Sequence, residues 1–200
     1  MEHMKWWGWG DEDTSFTHDD KPALGPFVKE KVGIDLDAGS SSVVDFDTLE
    51  ISAPTVTPEL RAALVAAVGD DWVLETAMER VVHTYGKSIR DLVRIRRGDL
   101  GRLPDLVVYP ADEAQTVAVV EAALAADAVL IPFGGGTNIS GSLEAPRGER
   151  RTVLSVDMGR MDRVLEIDAT SNTARIQAGA LGPVLEEQLL GPSGLRDVEP

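Results

Sequence analysis

The residues best suited to chemistry lie in one decapeptide, Pro132-Phe133-Gly134-Gly135-Gly136-Thr137-Asn138-Ile139-Ser140-Gly141. Three consecutive glycines remove every Cβ from a short arc of backbone. Such an arc tolerates positive φ and lets several amide N–H groups converge on one concavity. Thr137, Asn138 and Ser140 add short side chains able to hydrogen-bond oxygen. A pyrophosphate fits such a place, because backbone dipoles rather than lysines supply the attraction. Alone, a triple-glycine turn suits a structural hairpin or a flexible loop equally well. Two better-defined phosphate loops do not match. A Walker loop needs a leading glycine five residues before its Gly-Lys-Ser/Thr end, but Val81 occupies that position ahead of Gly86-Lys87-Ser88. The dinucleotide fingerprint needs a third glycine where Ile139 stands, and a helix after it, whereas strands are expected there.

The elements around this loop favour the anion-binding reading. Leu106 to Tyr109 is a short apolar run, expected to be a buried strand, and Pro110 ends it. Asp112 and Gln115 form a capping-box pattern before a helix reaching about Ala126, expected to bury Val117, Val120 and Leu124. Ala128 to Ile131 reads as a second strand that runs directly into the glycines. Strand, helix and strand with short links make a βαβ unit with parallel strands. Beyond the loop, Val153–Asp157, Val164–Asp168 and Thr173–Ala178 read as strands. Their short connections favour antiparallel pairing. A last helix is expected from Pro183 to Leu190.

Upstream the chain is less regular. Residues 1 to about 57 read as loops, including the Ser40–Ser42 run, with a short helix around Pro26 to Val32. Trp6, Trp7 and Trp9 are expected to dock on a core or an interface. Thr57 and Pro58 open a helix carrying Leu60, Leu64 and Val68, which Gly69 stops. A second helix is expected over Asp71–Tyr85, with Leu74, Met78, Val81 and Val82 on one face. A third is expected over Ser88–Arg97. The basic stretch Arg90, Arg94, Arg96, Arg97 and Arg102 reads as helix faces paired with nearby carboxylates. The acid pairs Asp45/Asp47 and Asp70/Asp71 read as turn and cap residues.

Composition excludes several classes. A net charge of −15 disfavours nucleic acid and anionic membranes as partners, since phosphate contacts rest on Lys and Arg. The absence of cysteine removes disulfides, thiol catalysis and sulfur-linked cofactors. No apolar run approaches the ~18 residues of a membrane span. No signal-peptide pattern opens the chain, so the cytoplasm is the expected compartment. His3, His18 and His83 show no metal-ligand spacing, so no metal is expected. His83, near a helix end, reads as a packing or dipole contact, and no catalytic residue is assigned.

Several ordered segments together resemble one family. They are Pro104-Asp-Leu-Val-Val-Tyr-Pro110, the loop Ile131 to Gly141, Leu154-Ser-Val-Asp-Met-Gly-Arg-Met-Asp-Arg163 and Ala174-Arg-Ile-Gln-Ala-Gly-Ala180. They resemble the p-cresol-methylhydroxylase type of FAD-binding domain, in the vanillyl-alcohol-oxidase superfamily. Met4-Lys-Trp-Trp-Gly-Trp-Gly10 and His83-Thr-Tyr-Gly-Lys-Ser88 point, within it, to alkyldihydroxyacetonephosphate synthase and bacterial FAD-linked oxidases. The resemblance covers residues 4 to 189. It implies FAD as cofactor, with Pro132 to Gly141 around its pyrophosphate. Asn138 stands where relatives often carry Ser, and Gly179, Leu181 and the Pro183 helix match a stretch near the flavin. The implied fold is α/β (α+β): a helical N-terminal region over residues 1–99, then the first subdomain of the FAD-binding domain over 100–200. The implied chemistry is oxidation of a hydroxylated substrate or the alkyl exchange of ether-lipid synthesis. Catalytic His and Tyr residues of the synthases lie in later parts of the family sequence. The segment after Leu190 departs from the family pattern, as a truncated or frame-shifted reading would. Two further readings remain open: a module completed by a partner chain, or a folded remnant without ligand.

Overall fold

The computed structural model describes residues 4–13, 19–36, 38 and 43–190. His3, His18, the Ser40–Ser42 run and the segment after Leu190 lie outside the described residues. The regular elements, in chain order, are α1 (Leu24–Val32), α2 (Pro58–Val68), β1 (Val73–Leu74), α3 (Ala77–Val82), α4 (Ile89–Arg96), β2 (Leu106–Val108), α5 (Glu113–Ala125), β3 (Val129–Phe133), β4 (Val153–Asp157), β5 (Val164–Asp168), β6 (Thr173–Ile176) and α6 (Gly182–Leu190). Short 3-10 turns occupy Phe46–Thr48 and Asp70–Trp72.

Local chemistry explains most of the helix starts. The Thr57 side chain accepts from the Leu60 amide, with Pro58 in the first turn of α2. Ser88 and Asp112 cap α4 and α5 in the same way, accepting from Asp91 and Gln115. Each such cap contributes about 1 kcal/mol. The Gln115 side chain reaches back to the amide of Ala111 rather than to that of Asp112, which closes the box one residue earlier.

The main sheet has the order β1-β2-β4-β3. β2 and β3 each pair in parallel with β4, while β1 pairs antiparallel with β2. The βαβ unit is therefore present, with β4 inserted between its two strands. This corrects the expectation that β4 would pair antiparallel with β5. All five residues of β4 are buried. A strand buried on both faces belongs in the middle of a parallel sheet, covered on each side. β5 and β6 form a separate antiparallel pair, as their short turn favours.

Two further expectations are corrected. The 71–85 segment is not one helix. Val73 and Leu74 pair with Val108 and Val107, so the sheet edge captures them, and Thr76 restarts a short helix at Ala77. The buried face of α5 is Val119 and Ala123, not Val117, Val120 and Leu124. Leu124 is 74% exposed, while Val119 is fully buried. Small side chains on the inward face let α5 lie close to the sheet and α2.

The main core joins Leu60, Leu64 and Val68 of α2 with Val73, Leu106, Val108, Val119, Ala123, Leu154 and Val156. Residues from both sides of position 100 thus share one core. A second cluster gathers Val81, Tyr85, Ile95, Leu100 and Leu103, against which Trp6 and Phe46 pack. Trp6 meets Phe46 edge-on at 5.5 Å, and Trp7 lies beneath the guanidinium of Arg96. Trp9 is half exposed but donates its indole N–H to the Lys87 carbonyl. The aromatic start is therefore packing material, as expected. The basic stretch is largely neutralised: Arg90 and Arg94 pair with Glu144, Arg94 also with Asp99, and Arg102 with Asp105. Asp45 caps the 3-10 turn at Phe46, and Asp70 pairs with Arg61. No helix among the described residues is long and apolar enough to cross a membrane.

Candidate functional site

The glycine loop leaves the carboxyl end of β3, where parallel sheets present ligand sites. Phe133 is the last residue of that strand, opposite Asp157, the last residue of β4. Gly136 and Gly141 adopt positive φ, at 63° and 80°. Gly134 and Gly135 do not, and their lack of a side chain serves space instead. A Cβ on Gly135 would stand 2.9 Å from Leu181 Cδ2, and one on Gly136 would stand 2.7 Å from the Phe133 ring. Among the described residues, no acceptor is hydrogen-bonded to the amides of Gly134, Gly135 or Gly136. The loop therefore offers open backbone donors in an arc that side chains would fill.

The second half of the loop is held from within. Asn138 Oδ1 accepts from the amides of Ser140 and Ser142, both at 3.1 Å. The Asn138 carbonyl accepts the Lys87 amide at 2.7 Å. The Asn138 side chain is thus a turn former. Pro132, Thr137, Ile139 and Ser140 are exposed.

A cavity of about 350 Å³ opens beside the first half of the loop. Phe133, Gly134 and Gly135 line it, together with Gly159, Gly179, Leu181 and Val184. Pro132 and the residues from Gly136 to Gly141 are not in its wall. The expected flavin-side positions Gly179 and Leu181 are thus brought to the glycine loop. A Cβ on Gly179 would stand 1.8 Å from the Met158 carbonyl oxygen, so only glycine allows the two chains to meet there.

The cavity floor was not anticipated from the sequence. It is a buried polar cluster of Glu79, His83, Tyr109 and Asp157. His83 Nδ1 lies 2.7 Å from the Glu79 carbonyl, and Nε2 lies 2.9 Å from Asp157 Oδ2. The Tyr109 hydroxyl donates to Glu79 Oε2 at 2.9 Å. Burial pushes this phenol far above its ordinary range, and the charges of Glu79 and Asp157 add to the shift. Tyr109 therefore acts as a neutral hydrogen-bond donor. Asp157 Oδ1 accepts the Gly159 amide at 2.6 Å. Arg160 stacks on Trp72, 3.7 Å from its ring centre, and donates to the Tyr109 carbonyl at 2.7 Å. One signal was present in the sequence: Tyr109, Phe133 and Asp157 all stand at the carboxyl ends of parallel strands. His83 carried no comparable mark. No group of residues suited to a metal ion occurs among the described residues.

Open donors, glycine-cleared space and an adjoining cavity suit a diphosphate-bearing cofactor. Residues 104–196 match the family of FAD binding domains. A solved p-cresol methylhydroxylase shares the fold, with a TM-score of 0.51 at 19% identity over 68% of this chain and 25% of that one. The chain carries an FAD-binding domain, with the fold that p-cresol methylhydroxylase shares, and its cofactor is FAD. Within that class it is homologous to alkyldihydroxyacetonephosphate synthase. The enzyme of Dictyostelium discoideum is 35% identical over 211 residues, covering 94% of this chain and 34% of the synthase. That of Trypanosoma brucei brucei is 34% identical over 207 residues, with the same coverage of 94% and 34%. A solved alkyldihydroxyacetonephosphate synthase superposes with a TM-score of 0.82 at 34% identity, over 93% of this chain and 38% of that one. The chain spans about a third of the length of the curated relatives it matches.

Proposed function

We propose that this chain supplies the pyrophosphate-binding part of an FAD-linked oxidoreductase or of an alkyldihydroxyacetonephosphate-synthase-like flavoenzyme. Residues 100–200 are the FAD-binding part in this reading, and residues 1–99 are the N-terminal region before it. The loop Pro132–Gly141 holds the FAD pyrophosphate through the amides of Gly134, Gly135 and Gly136. The observation that carries this reading is the set of open amides beside a cavity that a side chain at Gly135 would invade. Phe133, Leu181 and Val184 give the cavity wall its apolar part, and the Tyr109–Glu79 hydrogen bond lies at its floor. FAD, when bound, supplies the electron-accepting ring on which either activity depends. The relatives' names support ether-lipid alkyl exchange; oxidation of a hydroxylated substrate is the other activity of the class.

The test is titration of the purified chain with FAD, read by flavin fluorescence and thermal shift, beside Gly135→Val. Saturable binding lost in the variant supports the loop assignment. Equal binding by both proteins removes it.

A second reading, a module completed by further polypeptide in the same or another chain, is favoured by one observation. Leu165, Ile167 and Ile176 on the β5–β6 pair are exposed large apolar residues. A large exposed apolar surface is normally covered. Tighter FAD binding on adding the remaining part of a homologous synthase supports this reading, and unchanged binding counts against it.

A further inference from the structure

His83 joins three elements at the point where the glycine loop begins. Its amide and its Nδ1 both meet the Glu79 carbonyl at the end of α3, at 3.1 and 2.7 Å. Its Nε2 meets Asp157 at the end of β4. Its ring packs on Phe133 at the end of β3, with centroids 4.2 Å apart. Phe133 and Asp157 are the last register partners of the β3–β4 ladder. The next residue after Phe133 is the first glycine of the loop.

The proton inventory of this ring is constrained by its neighbours. A carbonyl oxygen only accepts, so Nδ1 carries a hydrogen. Nε2 faces a carboxylate oxygen that also needs a donor. The other polar group near Nε2, the Tyr109 hydroxyl at 3.5 Å, spends its hydrogen on Glu79. The groups facing the ring are thus Glu79 from α3, Tyr109 after β2, Asp157 from β4 and the Phe133 ring from β3. Asp11, Asp162 and Arg160 complete the charged lining of the same cavity, and the Arg160 guanidinium is committed to Trp72 and to the Tyr109 carbonyl.

We propose that His83 is a positioning residue for the cofactor loop: its ring bridges the Glu79 carbonyl and Asp157, and thereby holds the ends of α3, β3 and β4 in the geometry that binds FAD. This rests on the functional reading above, and deepens it. Without the imidazole the strand ends separate, and the first glycines move with Phe133. FAD affinity therefore falls when either end of the bridge is removed. Asp157→Asn keeps the bridge, because its amide N–H donates to Nε2 and its carbonyl still accepts the Gly159 amide.

FAD titration and thermal melting of the full chain test this, for wild type, His83→Ala, Asp157→Ala, Asp157→Asn and the double alanine variant. Each single alanine variant is expected to bind FAD about tenfold more weakly, the double variant no more weakly than either, and Asp157→Asn as wild type does. Wild-type affinity in His83→Ala, an additive loss in the double variant, or an equal loss in Asp157→Asn and Asp157→Ala overturns the positioning role while leaving FAD binding intact. Absence of FAD binding by wild type overturns the functional reading and the positioning role together.

Discussion

The Lys87 amide donates to the Asn138 carbonyl at 2.7 Å, and this bond ties the glycine loop to the turn after α3. The approach is possible because residue 86 has no side chain. A Cβ there would stand 1.9 Å from that same carbonyl oxygen. The clash is with backbone, so no rotamer change relieves it. We expect Gly86→Ala to lower stability by roughly 2 kcal/mol or more and to weaken FAD binding at the same time. Thermal melting and FAD titration of the variant check both. An unchanged melting point would show that the loop is not held there.

The Lys87 side chain has a pH signature. Its ammonium is buried and donates to the Lys5 carbonyl at 2.7 Å. Burial pushes its pKa down from 10.5 to about 8. Below pH 8 folded and unfolded chains both hold the proton, and the buried charge opposes folding. Between pH 8 and 10.5 the unfolded chain holds more protons, so this residue's contribution to stability rises with pH. The unfolding free energy of wild type minus that of Lys87→Met should therefore increase over that window, by on the order of 3 kcal/mol. Denaturant melts across the window measure it. A flat difference would mean that the ammonium stays charged in the fold.

Asp105 is a buried carboxylate at the amino ends of the two inner strands, β2 and β4. It accepts the amides of Thr55 at 2.9 Å and Val153 at 2.8 Å, and it pairs with Arg102. Asp105→Ala leaves two amides and a guanidinium without their acceptor. A loss of roughly 3 kcal/mol is expected by chemical denaturation, with Asp105→Asn losing less because one acceptor oxygen remains.

The two faces of α5 should respond oppositely to truncation. Val119→Ala empties a fully buried position and should cost about 2 kcal/mol. Leu124→Ala should stay within about 0.5 kcal/mol, since Leu124 is 74% exposed. A large loss at Leu124 in the purified chain would show that this face is covered in solution.

Much of the fold was legible because its causes are local. Thr57, Ser88 and Asp112 each cap a helix through an amide three residues on, so a short window of sequence contains the whole interaction. The glycine loop was legible for the same reason, since the lack of three side chains is a property of adjacent residues. What failed depended on distant partners. Val73 and Leu74 carry a helix-compatible pattern, yet Val108 and Val107 pair with them across the sheet. The α5 stripe of Val117, Val120 and Leu124 is apolar at helical spacing, yet α2 and the sheet accept the face with smaller residues.

The sequence by itself determined the class of this protein, through ordered motifs whose residue types answer to backbone conformation. It determined the starts of α2, α4 and α5 and the position of the loop. Only the tertiary structure decided that β4 lies between β2 and β3. That placement alone sets Asp157 against His83, 74 residues away, at the mouth of the loop. The physical reason is range. Caps and turns are settled by bonds between near neighbours, whereas strand order and the contents of a cavity are settled by which buried surfaces meet, and spacing along the chain does not encode that.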